Sequence, residues 1–294
     1  MALQMNLEKN FAEVLRNRLL AKGYPARTET DEETISRYLN VLNRTIEPHA
    51  RTTKPSTTFI CPPDHQAGFD ALIRTSEAGG DLRPYQSTGL EKDQYDDGML
   101  NAWNLQHFHL GTGPHPRYAG YVSRTGPLLY AVVTNDTLYC LGIYDHGGWS
   151  MQALLEIVDR DFPELSEPNS LRNNDKVKVI GLRRNYTDDD VQKLRDAGIN
   201  GLTQTPGGRI LGPMGGGVNL NKKKGQKSLK VAKANIDLRK LLKKFAAEID
   251  SQADDAGVPD GHAATLIEEN GKLLVVDATR SLRVEIDTAI VKPL

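Results

Sequence analysis

The periodicity of this chain changes at Trp103, and that change constrains the fold more than any other feature. The runs LLYAVVT and TLYCLGIY are rich in Leu, Tyr and Val and are separated only by Asn135-Asp136. β-forming runs broken by two residues that tolerate positive φ specify a hairpin. Similar runs predict strands near 103–110, 119–124, 128–134 and 138–144.

Upstream the spacing is helical. Leu7, Phe11, Val14, Leu15 and Leu19 form one apolar stripe that stops at Gly23 and Pro25. A second helix follows Thr30, with acids in its first turn and Ile35, Tyr38, Leu39 and Leu42 on one face, and a third spans Asp64 to Ala78. Downstream, WSMQALLEIVDRDF predicts a helix that closes the β-unit, and the turn-rich SEPNSLRNNDK predicts a linker near 164–175. Beyond it, VKVIGL reads as a strand, TDDDVQKLRDAG as a helix, and NGLTQT and GRILGP as short strands. A lysine-rich stretch then leads into a helix through Leu238, Leu241, Leu242 and Phe245, and Asn-Gly in ATLIEENGKLLVVDA marks a last hairpin. The expectation is an α+β protein: a helical N-terminal region followed by a small antiparallel sheet (1–165), then a second, smaller basic α+β domain (175–294).

No segment approaches the roughly 20 apolar residues of a membrane helix, and MALQMNLEKNFAEVL reads as neither signal peptide nor anchor, so a cytoplasmic protein without membrane contact is expected. Cys61 and Cys140 form no CxxC pair, which argues against a disulfide framework or a cysteine zinc site. Charge is strongly segregated: residues 1–170 hold 15 Lys/Arg against 22 Asp/Glu, and residues 172–245 hold 18 against 6. A basic block of this kind is suited to a polyanion.

Four of the seven histidines lie between 107 and 146. His107 and His109 are two apart in a strand, so their imidazoles emerge on one face. His146 follows the apolar strand LYCLGIYD directly. A histidine pair supplies a general base and a general acid, and RNA carries its own nucleophile in the 2′-hydroxyl, so phosphodiester cleavage on such a site needs no metal or other cofactor. Arg124 is the candidate phosphate clamp, because guanidinium meets phosphate oxygens in a forked geometry. Tyr130 and Tyr144 are available for stacking or as hydroxyl donors. Against this stands a structural role, with His107 and His109 packed beside Trp103 and Phe108. A metal-dependent hydrolase on His107, His109, His115, Asp145 and His146 is the main chemical alternative.

The order of a helix, a histidine-bearing strand ending in glycine (QHFHLG), an arginine-containing strand and LLYAVVTNDTLYCLGIYDHG resembles the RelE/ParE-like toxin ribonuclease fold over residues 103–147. The wider string around DDGMLNAWNLQHFHLG is similar to uncharacterised bacterial and phage proteins. The resemblance implies a toxin-like endoribonuclease, with His107, His109, Arg124 and His146 as catalytic residues and with a neutralising or regulatory protein as a possible partner. This chain departs from that group in its greater length, in lacking the lysine-rich first half, and in an acidic rather than basic catalytic unit.

In the basic block, Gly-Gln-Lys-Ser at 225–228 lacks the Gly-Lys-Ser/Thr order of a P-loop. Its glycines are therefore assigned to a hairpin and a bulged turn. Lys222, Lys223, Lys224, Lys227 and Lys230 are the candidate nucleic-acid contacts, with RNA favoured and binding expected to be salt-dependent and largely sequence-blind. A non-enzymatic nucleic-acid- or partner-binding protein, in which the histidine unit is only a support, is the alternative this block suggests.

Overall fold

The computed structural model describes residues 3, 5–173, 176, 178–221, 225–255, 257–259, 261–277 and 282–286. In chain order its elements are α1 (Leu7–Ala21), α2 (Asp31–Arg44), β1 (Thr52–Pro55), α3 (Gln66–Glu77), α4 (Gly98–Trp103), β2 (Gln106–His109), β3 (Pro127–Val133), β4 (Thr137–Asp145), α5 (Ala153–Asp161), α6 (Pro163–Ser166), α7 (Asp188–Asp196), β5 (Thr203–Gln204), β6 (Ile210–Leu211), β7 (Val218–Asn221), β8 (Gly225–Ser228), α8 (Leu229–Asp255), β9 (Ala264–Glu269), β10 (Lys272–Asp277) and β11 (Arg283–Ile286). This is the α+β class that the sequence predicts, with helices ahead of small antiparallel sheets. Among the described residues no helix is long and apolar enough to cross a membrane.

The chain forms two compact units. The first comprises Met1–Asn43, Glu91–Gln94 and Val231–Leu294. In it the apolar stripe of α1 packs with Ile35 and Leu39 of α2, Leu238 and Leu242 of α8, and Leu273 and Val275 of β10. α1 starts where the Asn6 side chain accepts the Lys9 amide, and α2 where Thr30 and Glu33 bond reciprocally to each other's backbone amides. The β9–β10 hairpin turns at Asn270 and Gly271, both with positive φ, as an Asn-Gly turn requires.

The second unit comprises Arg44–Leu90 and Tyr95–Lys230. Its centre is a four-stranded sheet in the order β1-β4-β3-β2. The predicted hairpin is β3–β4, with Thr134 N–H bonded to the Thr137 carbonyl around Asn135-Asp136. Alternation sorts the side chains to two faces. Phe108, Leu129, Ala131, Leu138 and Cys140 pack with Leu72 of α3 on one face. Leu128, Tyr130, Val132 and Leu141 pack with Leu154, Leu155 and Val158 of α5 on the other.

Two local expectations are corrected, and one strand is added. Residues 119–124 form no strand; a single bridge joins Val122 to Pro114 instead, because Pro114, Pro116 and Gly120, at φ +82°, interrupt any longer ladder. Described residues 178–182 of VKVIGL are not a strand either. The Val179 and Leu182 amides donate to the Asn173 and Gln204 side chains rather than to a neighbouring strand. β1 was not anticipated: it is short, polar and ends in proline, and it pairs parallel with β4 at the edge of an otherwise antiparallel sheet.

The units also divide the chain elsewhere than at 164–175. Residues after that run belong with the histidine-bearing sheet, held by polar bonds between distant segments. The Gln152 amide and side chain bond to Asp188 and the Tyr186 carbonyl. Thr205 and Arg209 bond to Asp159 at 2.7 and 3.0 Å. The Gly215 and Gly217 amides donate to the carbonyls of Ala102 and Asn101 in α4. A Cβ on Gly215 would stand 2.0 Å from the Leu100 carbonyl oxygen, so this glycine is required for close packing on a helix end.

Candidate functional site

β2 is an edge strand, and His107 and His109 lie opposite Tyr130 and Leu128 of β3. Both imidazoles therefore share the α5 face, as the i, i+2 spacing predicts. Their ring centroids are 6.4 Å apart and nearly perpendicular. His107 is 5% exposed and His109 1%. Burial first, then the nearby Arg124 guanidinium, push His109 down to about 3, so this imidazole is uncharged at any ordinary pH. Burial likewise holds His107 below its usual value, against the opposite pull of Asp97.

The Nδ1 of His109 accepts the Thr125 amide proton at 3.2 Å, which assigns its own proton to Nε2. Next to it, the Leu110 amide donates to Thr125 Oγ1, and that hydroxyl donates to the Pro127 carbonyl. Gly111 makes this approach possible, since a Cβ there would lie 2.0 Å from the Ser123 carbonyl oxygen. The QHFHLG run thus fastens residues 123–125 to the end of β2. Arg124 sits in that fastened segment, exposed, and near enough to bias both buried imidazoles and the Tyr95 phenol electrostatically.

His146 is exposed in the turn after β4, and its amide donates to the Gly126 carbonyl. Trp149 joins it to the buried pair, with its ring 4.9 Å from His146 and 4.7 Å from His107. Tyr130 completes the aromatic cluster beside Trp149 and Tyr144. The structure therefore gathers His107, His109, Arg124 and His146 around one end of the sheet. His115 stands apart: its Nδ1 caps a loop by accepting the Arg117 and Tyr118 amides. Among the described residues no three His, Cys, Asp or Glu side chains form a group that could hold a metal ion.

Several residues at the site were not predicted. Asp97 caps α4 through Oδ1, which accepts the Met99 and Leu100 amides, and turns Oδ2 to His107 Nδ1 at 3.9 Å. Tyr95 lies beside it with Arg44 over its ring at 5.6 Å, and burial drives its phenol up to about 12. These residues, with Gln86 and Gln106, line a crevice that ends at His107 and has room for about one water molecule. Arg195 of α7 is 4% exposed, lies 4.5 Å over the Trp103 ring and donates to the Trp149 carbonyl, fixing the turn that carries His146. Asp97-Gly98 ahead of an apolar run was a readable cap signal. Nothing local to Arg195 announces its place.

Of the nominated lysines, Lys222, Lys223 and Lys224 lie outside the described residues. Lys227 is paired with Asp96, and Lys230 is half-buried, which lowers its pKa. Compared with family models, with curated proteins and with solved structures, the chain gives no significant match.

Proposed function

We propose that the second unit is a metal-independent endoribonuclease acting in the cytoplasm. The observation that carries the reading is the gathering of an uncharged buried imidazole, an exposed imidazole and an exposed guanidinium at one sheet end. In this scheme Asp97 Oδ2, 3.9 Å from His107 Nδ1 and not hydrogen-bonded to it, draws the imidazole proton to that side, and Nε2 is the base that takes the proton of the RNA 2′-hydroxyl. The 2′-oxygen attacks phosphorus and displaces the 5′-oxygen, which is protonated by His146 at the solvent edge. Arg124 holds the non-bridging oxygens as charge grows on them. His109 takes no proton in this scheme; it positions the Arg124 segment through the Thr125 amide.

The resemblance to toxin ribonucleases supports the same reading, and a neutralising protein partner belongs to it. The test is incubation of the full chain with end-labelled RNA in EDTA, beside DNA of the same sequence. Cleavage of RNA but not DNA is expected. Intact RNA, or cleavage that EDTA abolishes, would reject the reading, the second result in favour of a metal-dependent hydrolase.

A further inference from the structure

Between His109 and Arg124 the chain makes an excursion whose side chains the cleavage scheme does not use. Residues 113–123 fold back on themselves: His115 N–H donates to the Tyr121 carbonyl at 2.7 Å, and Ser123 N–H to the Gly113 carbonyl at 2.7 Å. The base is tied down from outside, since the Val122 amide donates to the Pro84 carbonyl and Arg83 Nε to the Tyr121 hydroxyl. The tip is preset from within, because His115 Nδ1 accepts the amides of both Arg117 and Tyr118. The result holds Tyr118 outward at 40% exposure, edge-on to His115 at 5.1 Å and to the buried Tyr121 at 6.4 Å. The exposed Arg117 adjoins it.

Packing covers only part of this ring, which is fixed, partly displayed to solvent and flanked by a guanidinium. We infer that Tyr118 is a stacking platform for an unpaired base of single-stranded RNA, with Arg117 on the neighbouring phosphate. Every base has a π-face, so such a platform is tolerant of sequence but demands an unstacked strand. Its position fits the purpose: Ser123, whose amide closes the excursion, directly precedes Arg124. The platform and the phosphate clamp are thereby carried by one continuous segment. This inference rests on the proposed ribonuclease reading for its substrate and adds the demand for single-strandedness.

The test measures binding apart from cleavage. A fluorescent 2′-O-methyl oligonucleotide, which has no free 2′-hydroxyl to attack, is titrated with the full chain as a single strand and as a duplex. The single strand is expected to bind more tightly than the duplex. Tyr118→Ala should weaken single-strand binding by roughly tenfold, with Tyr118→Trp restoring it, and Arg117→Ala should weaken it less and in a salt-dependent way. Equal affinity of wild type and Tyr118→Ala, equal affinity for strand and duplex, or no binding of the single strand would each overturn the inference. Tyr118-dependent binding without cleavage of unmodified RNA would uphold the platform and reject the ribonuclease; cleavage with Tyr118-independent binding would do the reverse.

Discussion

The buried, uncharged state of His109 makes folding stability depend on pH in a specific window. Its folded value, pushed down to about 3, lies below the ordinary value of about 6.5 that an unfolded chain would show. Between those two values the unfolded chain binds a proton that the folded chain refuses. Stability is therefore fully present above about pH 6.5 and falls as pH drops toward 3, by about 1.4 kcal/mol per pH unit. At about pH 5 this amounts to about 2 kcal/mol, and His107, shifted in the same direction, adds to it. Carboxylates held low by ion pairs act in a lower window: Asp161, bonded to Arg160 and pushed to about 2, loses its contribution only as pH falls below the ordinary carboxylate range near 4. Urea unfolding of wild type and His109→Asn at several pH values between about 5 and 7.5 isolates the effect. Asn keeps an acceptor for the Thr125 amide but cannot titrate. The variant's stability should change with pH by about one proton less than wild type's. Parallel pH profiles for the two proteins would refute the burial of a neutral His109.

Gly111→Ala forces the Ser123 carbonyl away from the end of β2 and loosens the bonds to Thr125; we expect a loss of about 2–4 kcal/mol in urea unfolding and of about 10²-fold in RNA cleavage. Unchanged stability would show that this close approach is not required. Arg195→Met removes the donor to the Trp149 carbonyl, so tryptophan fluorescence should report a more solvated indole and cleavage should fall by roughly 10²-fold; an unaltered spectrum with full cleavage would exclude a positioning role. Arg124→Ala should cost about 10²–10³-fold in cleavage with stability nearly unchanged, and Lys at this position should restore only part, lacking the fork.

The elements with strong periodicity were legible: the stripe of α1, the β3–β4 hairpin around Asn135-Asp136, and the Asn270-Gly271 turn each carry their signal within a few residues. The shared face of His107 and His109 followed from strand alternation alone. What local pattern could not reveal was partnership across the chain. Arg195 lies far from Trp149 in sequence, and its role depends on how α7 docks. The compact units depend on the same kind of partnership: Gly215 and Gly217 bond to α4 more than a hundred residues upstream, and the units do not divide at the turn-rich run near 164–175. β1, four residues ending in proline, is specified by its pairing with β4 rather than by its own composition.

The cleavage chemistry is tested most directly by the products that the second unit leaves on RNA in EDTA. Base removal of the 2′-hydroxyl proton by His107, with protonation of the leaving oxygen by His146, yields a 2′,3′-cyclic phosphate and a 5′-hydroxyl. Product analysis of wild type should find those termini, and His146→Ala should lower the rate by about 10²–10⁴-fold while remaining folded. A 5′-phosphate at the cut, or an undiminished rate in His146→Ala, would contradict a histidine acid/base site at the end of this sheet.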